Sequence, residues 1–229
     1  MPVALSPTRR AGAVAGEPSL VSVETHFANL DINSIERKNF EAMLLPEELA
    51  RAGQFHFAID AERYVVRRGR LRELLAARLG CQPRAVPLCC NSFGKPRVKG
   101  NDLRFNLSHS GGVAFYVFTR EAEIGCDIEW RRPELAREGV AERFFSDREL
   151  QALRAVPRGR WVEAFFNCWT RKEAFIKALG FGVSYPLKSF DVSLAPGEPP
   201  AVLRGPLGWL LRSTEPLEGL QAAIAVKQL

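Results

Sequence analysis

The stretch GRWVEAFFNCWTRKEAFIKALG, residues 159–180, is the segment of the sequence that says most about the fold. Its apolar residues recur at spacings of four, three and seven, which is typical of one face of a helix. These residues are Val162, Phe166, Trp169 and Ile176. The pattern predicts a helix over 160–179 that ends at Gly180, because glycine often terminates helices.

Glu173 fills the seven-residue gap in this pattern, so helical periodicity places a carboxylate within the apolar face. An unpaired buried charge is costly, and we therefore expect this carboxylate to have a partner. Lys177, one turn further on, could form a simple helix pair worth about 0.3–0.5 kcal/mol. On this segment alone, both interpretations stay open.

The stretch IGCDIEW, residues 124–130, adds two more acids within an apolar run. In a strand, Asp127 and Glu129 point to one face, while Ile128 and Cys126 point the other way into a core. Two carboxylates this close resist joint ionisation unless a cation neutralises them, and Mg²⁺ prefers such oxygen ligands. A solvent-facing acidic strip on an edge strand is the alternative.

The stretch FNLSHSGG, residues 105–112, leads from a strand into a glycine-containing turn. Backbone N–H groups at such a turn, with Ser108, His109 and Ser110, suit an anion, although an ordinary strand end is the alternative. A hydrolase triad of Ser108, His109 and Asp127 is disfavoured because no G-x-S-x-G elbow surrounds the serine.

The 229 residues suffice for one large domain or two small ones. No apolar run is long enough to cross a bilayer, and residues 1–18 are interpreted as a flexible lead-in rather than a secretory signal. Five cysteines without C-x-x-C spacing argue against a disulfide framework and predict a cytoplasmic protein. The net charge of +6 favours anionic partners.

Strand-like and helix-like segments occur in both halves without regular βαβ alternation, which predicts an α+β fold. The predicted helices include PEELARAG, residues 46–53, and a long one, residues 60–80, that ends at Gly80. Ser146 and Glu149 have the spacing of a capping box, which predicts another helix start.

Together these signals describe a divalent ion on three carboxylates, with basic side chains available for phosphates. The basic residues are Lys95, Lys172, Lys177 and His109. Such a site suits phosphoryl-type transfer, where catalysis is mostly positioning and charge stabilisation.

Five motifs occur in order over about residues 55–192: GKP, FNLSHS, IGCDIE, FFS and WTRKEAFIKALGFG. In them the chain resembles the surfactin-synthetase-activating (Sfp-type) 4′-phosphopantetheinyl transferases. The resemblance implies transfer of phosphopantetheine from coenzyme A to a serine of an apo carrier protein, with 3′,5′-ADP released. It also implies two similar α/β-type halves related by a pseudo-twofold axis, with the active site in the cleft between them.

The resemblance implies that Asp127, Glu129 and Glu173 bind Mg²⁺. Glu173 would also act as the base for the carrier serine, directly or through water. Lys177 would stabilise or protonate the departing phosphate.

The resemblance further implies a set of residues that bind coenzyme A. Ser108 and His109 would hold its phosphates, His109 the 3′-phosphate, and Lys95 would lie near the adenine. Arg63 would meet the 3′-phosphate, and Lys172 joins this set as a further cation. The family often has a basic cluster before that arginine, but LPEELARAGQ, residues 45–54, has only one arginine.

The predicted halves are residues 19–121, which bind coenzyme A, and 122–229, which carry the metal and the catalytic groups. The positive charge suits an acidic carrier protein, and Arg131 and Arg132 with residues 133–145 are candidates for docking it, a solvated helix being the alternative. We expect a monomer without membrane or nucleic-acid contacts. The alternatives are a basic module that binds nucleotides or nucleic acid without catalysis and a coenzyme A-binding relative without activity.

Overall fold

Helices and strands alternate irregularly along residues 21–228, the part of the chain that the computed structural model describes, with Val183 described by its backbone alone. The predicted lead-in, residues 1–18, lies outside this part. The helices are α1 (Ser34–Glu41), α2 (Pro46–Ala52), α3 (Ala58–Leu79), α4 (Glu138–Phe144), α5 (Asp147–Ala155) and α6 (Trp161–Leu179). The strands are β1 (Glu24–Asn29), β2 (Leu88–Cys90), β3 (Pro96–Val98), β4 (Arg104–Ser110), β5 (Val113–Thr119), β6 (Ile124–Trp130), β7 (Asp191–Val192), β8 (Val202–Arg204), β9 (Trp209–Leu217) and β10 (Leu220–Lys227). The predicted mixture of helices and strands is confirmed.

The longer strands form two antiparallel three-stranded sheets, with the orders β1-β5-β4 and β6-β10-β9. The short strands form the antiparallel pairs β2–β3 and β7–β8. Short turns join β4 to β5 and β9 to β10, whereas β1–β5 and β6–β10 pair strands that are far apart in the chain. All of these pairs are antiparallel, and parallel pairing is what βαβ alternation in a sequence would indicate.

Helix α3 covers one face of the first sheet. Its residues Leu71 and Leu75 are fully buried in the same apolar cluster as Tyr116 of β5. The Tyr116 hydroxyl donates a hydrogen bond of 3.0 Å to the backbone oxygen of Arg67, which ties the helix to the sheet. As predicted, the helix ends at Gly80, where φ is 66°, a left-handed conformation that glycine adopts without strain.

Helix α6 lies directly on strand β6 because Gly125 has no side chain. A Cβ atom at Gly125 would lie 2.2 Å from the backbone nitrogen of Ala178 and 2.3 Å from the backbone oxygen of Ala174. No other residue type fits at such a distance. This close contact brings the second half of α6 beside the residues that follow Gly125 in β6.

The two sheets meet through both apolar and polar contacts. Cys126 and Ile128 of β6 are fully buried in one cluster with Phe115 of β5, so the predicted core-facing side of β6 is confirmed. Strands β4 and β6 belong to different sheets. Side chains join them, since the backbone N–H of Cys126 donates to Oδ1 of Asn106 at 2.9 Å.

Other local predictions have mixed outcomes. The capping box is confirmed, because Ser146 and Glu149 exchange hydrogen bonds at the start of α5. Helix α1 was not predicted, since it buries only Phe40 and therefore shows no apolar stripe. Within residues 21–228, no helix combines the length and the apolar character needed to cross a bilayer. All five cysteines are free thiols.

Candidate active site

A cavity of about 450 Å³ lies where the two sheets meet, bounded by α3, β4, β6 and α6. Its lining residues are Arg67, Leu107, Ser108, His109, Asp127, Glu129, Trp169, Glu173 and Lys177. Six of them are site residues predicted from the sequence, two from β4, two from β6 and two from α6. Segments far apart in the chain therefore converge on one space.

Asp127 is the most enclosed acid of this cavity, with 2% of its surface exposed. Its Oδ1 accepts hydrogen bonds from Nζ of Lys177 at 2.6 Å and from Oγ of Ser108 at 2.8 Å. The same Nζ donates to Oγ of Ser108 at 3.0 Å, which closes the network. Asp127 is therefore not part of a solvent-facing acidic strip.

Lys177 pairs with Asp127 rather than with Glu173, its neighbour on the helix. Burial works against its charged form, but the charge and hydrogen bond of Asp127, with smaller contributions from Cys126 and Glu173, together outweigh burial and raise the pKa of Lys177. Within residues 21–228, Lys177 forms its salt bridge with Asp127 and none with Glu173. The simple pair along the helix is consequently not formed.

Glu129 lies two residues beyond Asp127 on the same face of β6. Its Oε2 accepts a hydrogen bond of 2.7 Å from Oγ of Ser110. The same Oγ of Ser110 accepts a hydrogen bond of 3.2 Å from the backbone N–H of Trp130. Burial and the charge of Asp127 raise the pKa of Glu129. Ser110 thus orients the Glu129 carboxylate through a contact between the two sheets.

Glu173 reaches the cavity from α6, one turn before Lys177. It lies at the edge of the buried face rather than in its middle, and it is partly exposed. Burial, followed by the charge of Asp127, raises the pKa of Glu173 to about 7. A carboxyl group with such a pKa exchanges a proton readily near neutral pH.

Two basic groups complete the lining. His109 of β4 is exposed at the cavity, next in sequence to the buried Ser108. Arg67 of α3 was not predicted. The signal that could have found it is its position one helical turn after Arg63, on the same side of α3.

The expectation for Lys172 is wrong. Its side chain is 1% exposed, and its Nζ donates to both carboxylate oxygens of Glu149, at 2.6 and 2.7 Å. A third hydrogen bond, of 2.8 Å, goes to the backbone oxygen of Phe190. All three protons of this ammonium group are engaged inside the protein, so none is available to a phosphate.

Lys95 and Arg63 also lie outside the cavity lining. The Nζ atom of Lys95 donates to Glu123 and to the backbone oxygens of Ile124 and Ala178. Lys95 thereby joins the β2–β3 region to β6 and α6. The guanidinium of Arg63 donates two hydrogen bonds to Asp31, at 2.7 and 2.9 Å, so the Asp31 carboxylate already neutralises its charge.

The chemistry of the acids fits a hard divalent cation. Oδ2 of Asp127 is buried and has no hydrogen-bond partner within residues 21–228, although a buried carboxylate oxygen needs one. Glu129 and Glu173 line the same cavity, and carboxylate oxygens are the ligands that Mg²⁺ prefers. Within residues 21–228, however, no three His, Cys, Asp or Glu side chains converge closely enough to form a metal-ligand group.

Comparison with known proteins assigns the chain to a family. The 4′-phosphopantetheinyl transferase HetI of Nostoc sp. is 36% identical over 214 residues, which cover 91% of this chain and 90% of HetI. The chain belongs to the 4′-phosphopantetheinyl transferase family. A family model described as "ACPS: 4′-phosphopantetheinyl transferase superfamily" matches residues 123–225, which include the acids of β6 and all of α6.

Other 4′-phosphopantetheinyl transferases agree over shorter stretches. Sfp of Bacillus subtilis is 32% identical over 160 residues, covering 69% of this chain and 70% of Sfp. The human L-aminoadipate-semialdehyde dehydrogenase-phosphopantetheinyl transferase is 30% identical over 66% of this chain, which spans 53% of the human protein. The resemblance drawn from the motifs is therefore confirmed, and the chain is an enzyme of the phosphopantetheinyl transferase type.

Proposed function

We propose that this transferase moves 4′-phosphopantetheine from coenzyme A to the side-chain hydroxyl of a serine in an apo acyl, peptidyl or aryl carrier protein. The serine oxygen forms a bond to the phosphorus that bears the pantetheine. The bond from that phosphorus to the bridging oxygen breaks, and 3′,5′-ADP leaves. One observation carries the proposal: Ser108, His109, Asp127, Glu129, Glu173 and Lys177 line one cavity in a member of this family.

Glu173 is the group that receives the proton of the serine hydroxyl, directly or through water. In the metal-free protein, burial and the charge of Asp127 raise the pKa of Glu173 to about 7, near the pH at which a base works best. Lys177 remains charged beside Asp127 and stabilises the leaving phosphate. His109 and Ser108 bind the phosphates of coenzyme A, with His109 at the 3′-phosphate.

Asp127, Glu129 and Glu173 are the residues that would hold Mg²⁺. When bound, the ion would withdraw charge from the diphosphate of coenzyme A. Ser110 keeps Glu129 turned toward this place through its hydrogen bond of 2.7 Å.

The carrier protein docks beside the cavity in our proposal. An apolar recess of about 230 Å³ shares Glu129 and Trp169 with the cavity and is otherwise lined by residues of α6 and of the 132–140 region. Arg132 borders this recess, whereas Arg131 is engaged with Glu215 and Gln221. Arg132 and the net charge of +6 suit an acidic carrier.

The proposed architecture is two halves, 19–121 and 122–229, related by a pseudo-twofold axis. In support, each half has a three-stranded antiparallel sheet and one long helix, α3 or α6, that ends at a left-handed glycine. A monomer in the cytoplasm that contacts no nucleic acid remains our expectation.

Mass spectrometry tests the transfer directly. The protein is incubated with coenzyme A, Mg²⁺ and several apo acyl and peptidyl carriers, and we expect the mass of one phosphopantetheine group on the carrier serine. The matched variant Glu173→Gln should fold normally and lose nearly all transfer. No adduct on any carrier would overturn the proposal, and wild-type turnover by Glu173→Gln would overturn the role of Glu173.

A further inference from the structure

Arg67 is the arginine of the cavity lining, and it reaches the cavity from the third turn of α3. Within residues 21–228, its guanidinium forms no salt bridge and donates no hydrogen bond. It stacks near the ring of Tyr64, with Cζ 5.6 Å from the ring centroid. A guanidinium group has five N–H donors, so this environment leaves its hydrogen-bonding capacity unused.

The other arginines of α3 all have carboxylate partners. The pairs are Arg63–Asp31, Arg68–Glu48, Arg70–Glu73, Arg72–Glu48 and Arg78–Glu24. Arg67 is thus the exception on its helix within the described part of the chain. The acids of the cavity do not fill this gap, because none of them lies within salt-bridge distance of Arg67.

The electrostatic surroundings of Arg67 favour an added anion. Burial lowers the pKa of Arg67, and the charges of Arg51 and Arg68 act in the same direction, against opposing contributions from Tyr116 and Tyr64. Arg51 stacks near the same Tyr64 ring, 5.9 Å from its centroid. A half-buried cation among like charges is stabilised by a bound anion, and the planar fork of arginine matches phosphate oxygens.

We infer that Arg67 binds a phosphate group of coenzyme A at this cavity, a role that the family resemblance gave to Arg63. The inference rests on the proposed function, which supplies the ligand. It accounts for the sparse basic residues of 45–54, because the cation that this segment lacks comes from the middle of α3.

Direct binding measurements test the inference without a carrier protein. Isothermal titration calorimetry gives the Kd of coenzyme A, and of 3′,5′-ADP, for the wild type and for Arg67→Gln. Losing a charged hydrogen-bonding partner of a phosphate should weaken binding about 10- to 100-fold. Arg67→Lys should recover part of the affinity, because the charge returns without the fork.

The control is Arg70→Gln, which removes the same charge from the same helix. Arg70 lines a separate groove between α1 and α3 with Glu73, and this variant should bind coenzyme A like the wild type. Urea unfolding of each variant checks that it is folded. Unchanged affinity in a folded Arg67→Gln would overturn the inference, as would equal losses in Arg70→Gln.

A second ligand identifies the phosphate. If Arg67→Gln weakens coenzyme A but not 3′-dephospho-coenzyme A, Arg67 contacts the 3′-phosphate, and if it weakens both, Arg67 contacts the diphosphate. Either result supports the inference. A wild type that binds coenzyme A but modifies no carrier would overturn the proposed function alone, whereas one that binds no coenzyme A would overturn both.

Discussion

Helix α6 carries two lysines, five residues apart, that each bind a carboxylate at 2.6 Å. Lys172 and Glu149 are 1% and 2% exposed, and every proton of the lysine is used. The carboxylate of Glu149 also accepts backbone N–H groups from Ser146 and Val192. This closed pair connects α5, α6 and the β7 region, and its polar atoms need nothing further.

The pair formed by Lys177 and Asp127 has the same chemistry in a different setting. The Lys177 side chain is 31% exposed, and one carboxylate oxygen of Asp127 has no partner in the described part of the chain. The pair also faces a cavity with two more acids. An ion pair with unused bonding capacity beside open space can bind a ligand, whereas a fully satisfied one can only stabilise the fold.

The largest effect that the comparison predicts is loss of stability when the closed pair is broken. Lys172→Met should lower the free energy of unfolding by about 3–5 kcal/mol, because it leaves the Glu149 charge buried without a cation. Urea denaturation followed by circular dichroism measures this change.

The double variant Lys172→Met/Glu149→Gln is the control for this prediction. It should lose less stability than the sum of the two single variants, since neither charge then remains uncompensated. Additive losses, or a Lys172→Met protein as stable as the wild type, would mean that the pair does not act as a unit.

Lys177→Met should affect catalysis rather than stability. We expect kcat for phosphopantetheine transfer to fall by about 100-fold or more, because the leaving phosphate loses its cation. The loss of stability should be smaller than in Lys172→Met, since the Lys177 side chain is 31% exposed and its removal would let water from the cavity reach Asp127. Equal destabilisation in the two variants, with transfer intact in Lys177→Met, would abolish the distinction between the pairs.

Ser110→Ala should have the smallest effect of the three. Within residues 21–228 it removes the single side-chain donor to Glu129, in contrast to the several donors that hold Glu149. The Mg²⁺ concentration for half-maximal transfer should rise about 3- to 10-fold, the amount expected from one hydrogen bond. The control Ser110→Thr retains the hydroxyl and should have a Mg²⁺ dependence near that of the wild type. An unchanged Mg²⁺ dependence in Ser110→Ala would show that Ser110 does not support the metal site.

Local periodicity was sufficient for much of this site. Asp127 and Glu129 share a face because strand side chains alternate, and this follows from two adjacent positions. Glu173 and Lys177 share a face because they are four residues apart in a helix. These relations need no knowledge of distant segments, and for that reason the sequence alone could predict them.

Pairing with distant segments was beyond such reasoning. The side chains of Lys172 and Lys177 leave the helix in directions roughly 140° apart, so both cannot face the same site. Which of the two faces the cavity could be known only from the position of Glu149. Arg63 and Arg67 lie on one side of α3. Arg63 is the one that pairs with Asp31, which comes more than thirty residues earlier in the chain. Partners that come from far along the chain leave no periodic trace.

The contact at Gly125 sets the width of the active site. Glu173 and Lys177 stand on α6 and Asp127 on β6, and main-chain atoms of the two elements touch where a methyl group would otherwise be. The spacing between helix and strand therefore depends on backbone thickness rather than on side-chain rotamers. A single carbon atom added at this position would push α6 away from β6. Glu173 and Lys177 would then both shift relative to Asp127, although neither side chain would itself be changed.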